Sequence, residues 1–108
     1  MVHIVVRLYA APGGMKRLRR YEKKALAIFR AHHGRVIAAF QPDRVAGPKP
    51  LLDEVQVLRI PTLRAFRRFM SDPRRTCMAR ERGLAIRKTD IFISKRPVHY
   101  FPVAERKG

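Results

Sequence analysis

His3, Arg7 and Tyr9 alternate with Val2, Ile4, Val6 and Leu8 in the first ten residues. In an extended chain this spacing sets the polar three on one face and the aliphatics on the other. An imidazole, a guanidinium and a phenol on one partly apolar face could bind an anionic or aromatic small molecule and move a proton. In that reading His3 is the proton acceptor, Arg7 the anion clamp, and Tyr9 a stacking or hydrogen-bonding wall. Later segments add ligand-binding candidates: Glu54 and Gln56 if Val55 and Val57 turn the other way, and Asp90, Phe92 and Ser94 opposite Ile91 and Ile93. The same residues also read as a polar network or a wet interface, with Arg7 paired to Glu54. A slip of one residue in the segment around Glu54 exchanges its faces.

Other chemistries have less support. His32 and His33 are adjacent, and adjacent helical residues diverge, so they cannot chelate one ion as an i,i+4 pair would. His3 and His99 stand alone, and Cys77 has no second thiol at ligand spacing, so no metal is expected. Cys77 next to Met78 reads as a packed thiol, although Arg74, Arg75 and Arg80 are placed to lower its pKa. Gly13-Gly14 before a helix could cradle a phosphate with Lys16 and Arg17, but the pair lacks the spacing of a dinucleotide fingerprint or a P-loop. No cofactor is implied, and no motif decides between an enzyme and a binding protein.

The elements that must carry these residues follow from periodicity. Val2–Tyr9 predicts a strand, broken by Ala11-Pro12-Gly13-Gly14. Met15–His33 predicts an amphipathic helix with Met15, Leu18, Ala25, Phe29 and His32 on one stripe and Lys16, Arg19, Arg20, Lys23, Lys24 and Arg30 on the opposite arc. Gly34 is placed where a helix end favours a left-handed residue. Arg35–Pro42 is a strand too uniformly apolar to assign faces, residues 43–50 a loop, and Leu51–Ile60 another strand. Thr62 caps a helix that buries Leu63, Phe66 and Met70 beside Phe69. Asp72-Pro73 opens a further short helix running to about Gly83. Thr89–Lys95 is the last strand. The order β-α-β-β-α-β is the split βαβ arrangement of an α+β, ferredoxin-like domain: a four-stranded antiparallel sheet with helices on one face. Residues 1–96 form the domain. Residues 97–108 form a tail whose Val98, Tyr100, Phe101 and Val103 suit an extra strand, a dimer arm or a docking segment.

Length and composition bound the rest. The 108 residues are 46% hydrophobic, enough for one core and too apolar for a disordered basic tail. A single cysteine rules out an intramolecular disulfide framework. No stretch has the length and apolarity of a signal peptide or membrane span, so a cytoplasmic protein without a membrane partner is expected. Twenty-five Lys and Arg against eight Asp and Glu give a net charge of +17. The basic residues occur throughout the chain, as on a solvated surface, yet such charge also attracts polyanions. If it binds nucleic acid, the outer arc of the first helix (Lys16, Arg20, Lys23, Lys24) would make salt-sensitive, sequence-indifferent phosphate contacts. The segment around Glu54–Ile60 has no aromatic with which to stack bases.

Several short pieces, taken in order, resemble the dimeric α/β-barrel superfamily, small bacterial proteins related to the antibiotic-biosynthesis monooxygenases. They are the His33-Gly34-Arg35 turn, the Arg59-Ile60-Pro61-Thr62-Leu63 step, Phe66 and Phe69, the Ser71-Asp72-Pro73 break, and an Arg at 80 or 82. The resemblance spans about Val2 to Lys95. It implies a homodimer packed sheet against sheet and a ligand cleft, in a group that includes cofactor-free oxygenases and haem-degrading enzymes. His33 stands where that group has a second glycine, and Arg74 or Arg75 where it has an aromatic. With neither Trp nor Asn in the chain, a haem role lacks its usual elements. The expectation is a dimeric barrel binding a small anionic or aromatic molecule on the sheet face, with oxygenase or isomerase chemistry open. The alternative is a polyanion-binding module.

Overall fold

A computed structural model describes residues 1–43, 46–47 and 52–101. Most of the loop expected over 43–50, the strand start at Leu51 and the tail beyond Phe101 lie outside the described residues. In chain order the elements are β1 (Val2–Ala10), α1 (Met15–Ala31), β2 (Arg35–Phe40), β3 (Glu54–Ile60), α2 (Leu63–Met70), α3 (Pro73–Thr76), α4 (Ala79–Ala85) and β4 (Ile86–Ser94). The strands form one sheet in the order β2-β3-β1-β4, every neighbour antiparallel, with the helices on one face. This is the expected ferredoxin-like α+β fold. Lys95–Phe101 adopt neither helix nor strand, and Val98, Tyr100 and Phe101 are exposed. Among the described residues no helix is long and apolar enough to cross a membrane.

The core lies between helices and sheet. Val2, Ile4, Val6 and Leu8 of β1 meet Leu18, Tyr21, Ala25 and Phe29 of α1, with Leu58 and Ile60 of β3 and Phe66 and Phe69 of α2. Each of the Val, Leu, Ile and Phe side chains among them contributes about 1.5–3 kcal/mol on leaving water. Both expected caps form. The Thr62 side chain accepts from the Ala65 N–H at 3.0 Å, and Asp72 accepts from the Arg74 N–H at 2.8 Å. The further helix expected to run to about Gly83 is instead two pieces, α3 and α4, separated by Cys77 and Met78.

The end of α1 differs from expectation in one residue. The left-handed position is His33, with φ +67°, not Gly34. His33 N–H donates to the Arg30 carbonyl and Gly34 N–H to the Phe29 carbonyl, each at 3.0 Å, which is the Schellman pattern with His33 just past the helix. Gly34 is needed for space: a Cβ there would lie 2.3 Å from the Phe29 ring.

Two sheet details decide which side chains share a face. β2 is bulged between Val36 and Ala38, which breaks alternation and explains why its apolar run reads ambiguously. In β3, Glu54, Gln56, Leu58 and Ile60 are buried towards the helices, while Val55, Val57 and Arg59 face the open side. Glu54 and Gln56 are therefore not on the open face with His3 and Arg7. Leu58 and Ile60 fill the core, and the two-residue repeat carries Gln56 and Glu54 to the same side, opposite Val6 and Leu8.

Candidate functional site

On the open face, the first-strand candidates lie as alternation predicts, but they do not converge. His3 and Tyr9 are six strand residues apart, about 20 Å, too far to hold one small molecule between them. His3 is exposed, whereas Tyr9 is buried at the bulged end of β1, beneath Arg87 and Lys88. Arg7 is committed to its cross-strand neighbour Asp90, with Nη2 3.2 Å from Oδ2, and its guanidinium stacks on Phe92 at 4.8 Å from the ring centre. The Tyr9 hydroxyl reaches the same carboxylate at 3.5 Å. Arg7, Tyr9, Asp90 and Phe92 thus form one cluster, and the partner of Arg7 is Asp90, not Glu54.

The helix side holds a different group. A cavity of about 60 Å³ lies between α1, α2 and the sheet, walled by Leu8, Phe29, Leu58, Phe66 and Phe69. Its polar members are Tyr21, Glu22, Gln56, Arg75, Arg82 and Thr89. The Gln56 amide nitrogen donates to Glu22 Oε1 and to Glu54 Oε2, both at 2.8 Å, and so bridges two carboxylates. Burial is the main force raising the Glu22 pKa above that of an ordinary carboxyl. The Gln56 hydrogen bond opposes it and the nearby Glu54 adds to it. Burial likewise raises the Tyr21 phenol, against the pull of Arg75. The two guanidiniums are oriented from outside: Arg75 donates to the Met70 carbonyl at 2.9 Å and lies over Phe69, while Arg82 donates to the Thr89 hydroxyl at 2.9 Å.

Glu22, Arg75 and Arg82 escape a reading based on alternation. One signal was present. Glu22 is the single acid in a helix carrying seven Lys and Arg, next to the buried Tyr21. An acid so placed suggests a role in the buried layer. The polyanion candidates Lys16, Arg20, Lys23 and Lys24 are exposed, and the Lys24 ammonium is held by Glu81 at 3.1 Å. No group of three or more metal-ligating side chains occurs among the described residues.

No protein-family model and no curated protein matches the chain. Solved structures do. A protein of unknown function from Rhodopseudomonas palustris superposes with a TM-score of 0.76 at 18% identity, covering 91% of this chain and 83% of that one. A NIPSNAP domain protein from Burkholderia xenovorans superposes at 0.66 with 14% identity, over 94% and 99% of the two chains. A dabb family protein with a ferredoxin-like fold from Mesorhizobium loti superposes at 0.63 with 15% identity, over 91% and 97%. At these identities the likeness defines the class as a small ferredoxin-like domain, and it carries neither an activity nor a specific tie to the antibiotic-biosynthesis monooxygenases.

Proposed function

We propose that the chain binds a small aromatic or anionic molecule in the cavity between helices and sheet, and that Glu22 exchanges a proton with it. One observation carries this reading: a carboxyl whose pKa burial raises stands in an aromatic-lined cavity beside two arginines. The phenylalanine walls suit a planar ring, and Arg75 and Arg82 suit a carboxylate or phenolate on it. At about 60 Å³ the cavity is smaller than the ~150 Å³ that encloses a benzene, so the rim at Leu26, Met70 and Ile91 must yield on binding. Met70, unbranched and polarizable, can do so.

The open face completes the assembly as a homodimer packed sheet against sheet. Val5, Val55, Val57, Phe40 and Phe92 share that face, and Phe40 and Phe92 are more than half exposed. Such a surface gains from being covered. Residues 1–96 act as the domain and residues 97–108 as an arm across the partner. Relation to the monooxygenase-like barrels and residence in the cytoplasm belong to the same proposal.

Ligand-observed NMR with phenol and 2-naphthol, which are uncharged at neutral pH and so do not engage the basic open face as anions, tests the site. Saturation transfer should survive His3→Ala and Tyr9→Ala and be lost on filling the cavity with Ala25→Leu. The reverse pattern returns the site to the open face. A second reading, polyanion binding by α1, draws support from where the acids lie. Among the described residues, Glu22 is held by Gln56, and Glu54, Asp72, Asp90 and Glu81 are buried or ion-paired, while Lys16, Arg20 and Lys23 are exposed and form no ion pair. Binding of short RNA and DNA that persists at physiological salt with a steep log-log slope would favour it.

A further inference from the structure

The register of the sheet produces an arrangement that no single segment reveals. Arg35 on β2 pairs with Arg59 on β3, and Arg59 pairs with His3 on β1. Three basic side chains therefore stand in one cross-strand row on the open face, with Ser94 of β4 at its end. Ser94 is occupied locally, exchanging hydrogen bonds with the Arg96 backbone. Like charges directly opposite across strands repel, so such a row is normally broken by an acid or an apolar residue. No carboxylate forms an ion pair with the row among the described residues.

Arg59 makes the row more than a solvated basic edge. His3 and Arg35 are exposed and can be hydrated, but the Arg59 Nε is buried and, among the described residues, without a hydrogen-bond partner. A buried N–H left unmade keeps its full desolvation cost. Arg7, two rows along the same face, provides the comparison. Its Nε is buried and unpartnered as well, yet its guanidinium has Asp90 as a counter-charge. Arg59 has the same orphaned nitrogen and, among the described residues, no such acid. The group that would match it is an acceptor carrying negative charge.

We infer that the row Arg35–Arg59–His3 is an oxyanion site, which takes the phosphoryl or carboxylate end of a small ligand. The guanidinium fork of Arg59 is matched to two oxygens of such a group, and His3 and Arg35 flank it with further donors. The neighbouring row is Ala38, Val57, Val5 and Phe92, so an apolar body attached to the anion has a surface to lie along. The site shares no residue with the helix-side cavity and stands whether or not that cavity binds anything. It lies at one end of the face assigned above to the dimer, where a bound anion would neutralise the row as a second copy approaches.

The test is a titration of the full chain with sodium phosphate and, separately, sodium benzoate, against sodium chloride at matched ionic strength. Thermal midpoint and the Arg59 Nε–Hε resonance are followed together. A saturable rise in midpoint with a shift of that resonance is expected for at least one oxyanion. A response to phosphate alone assigns a phosphoryl ligand, and one to benzoate alone a carboxylate. Arg59→Lys, which keeps the charge and removes the fork, should weaken binding at least tenfold. Arg35→Ala and His3→Ala, at exposed positions that leave the core intact, should weaken it several-fold. Equal responses to chloride and both oxyanions, or wild-type affinity in the Arg35 and His3 variants, would overturn the site. Sedimentation in the same buffers separates this from the dimer: a chain that binds phosphate as a monomer keeps the site and loses the dimer.

Discussion

His33 and Gly34 make opposite demands at adjacent positions. The His33 backbone is left-handed, a conformation costing roughly 1–2 kcal/mol for a residue with a Cβ, so His33→Gly should raise stability by about 1 kcal/mol. Gly34→Ala should lower it by about 1–3 kcal/mol, because the new methyl would collide with the Phe29 ring. Urea unfolding of both variants checks the pair, and a destabilised His33→Gly would remove the assignment. Glu22 gives a pH signature at the same scale. Its folded pKa is raised, so the protonated form is favoured by folding, and stability declines as pH climbs from the unfolded value near 4.3 through the higher folded one. Glu22→Gln should be more stable than wild type at pH 7 and equal to it below about pH 4. Denaturation midpoints at both pH values decide this.

Where elements meet, the last turn of α1 is tied to the junction of α2 and α3 by one carboxylate. Asp72 Oδ2 lies 2.7 Å from His32 Nε2 and 2.8 Å from Arg74 Nη2, while its Oδ1 caps α3. The Arg74 hydrogen bonds, then that of His32, hold this carboxyl far below the usual range. Its contribution to stability is therefore complete above the unfolded value near 3.9 and is lost as pH falls towards the lower folded one. Asp72→Asn should remove that part of the acid-side loss, seen as a flatter stability profile between pH 2 and 4. An unchanged profile would mean that the clamp contributes nothing. Both caps were legible in the sequence because capping is a contact between near neighbours. The His32 contact crosses forty residues and was not: the apolar stripe of α1 accounts for His32 without any partner.

For the whole molecule, the unpaired open face and the charge are the two features that reach beyond the fold. Val57→Asp places a charge in the middle of the apolar row, next to Val5. It should convert a sheet-to-sheet dimer to monomer in sedimentation while the far-ultraviolet circular dichroism is retained. If wild type is itself monomeric at micromolar concentration, the dimer is excluded. The fold class was readable because element order and amphipathic period were both strong. The cavity was less so, since Glu22 and Gln56 come from elements 34 residues apart and meet only in the packed chain.

The division between what was readable and what was not has one physical origin. Alternation along a strand, the 3.6-residue stripe of a helix, and the Thr62 and Asp72 caps are fixed by backbone geometry and neighbours within a turn, so they are written locally. Which of two alternating faces is dry, and which residues of different strands stand opposite, depends on register, and register is chosen by collapse of the whole core. Burial of Leu58 and Ile60 carried Gln56 and Glu54 to the helix side and left Arg59 on the open face. Pairing of three strands then brought Arg35, Arg59 and His3 into one row. Local spacing allowed either parity for β3. Only tertiary packing, which gains several buried aliphatic side chains in one arrangement and loses them in the other, could choose between them.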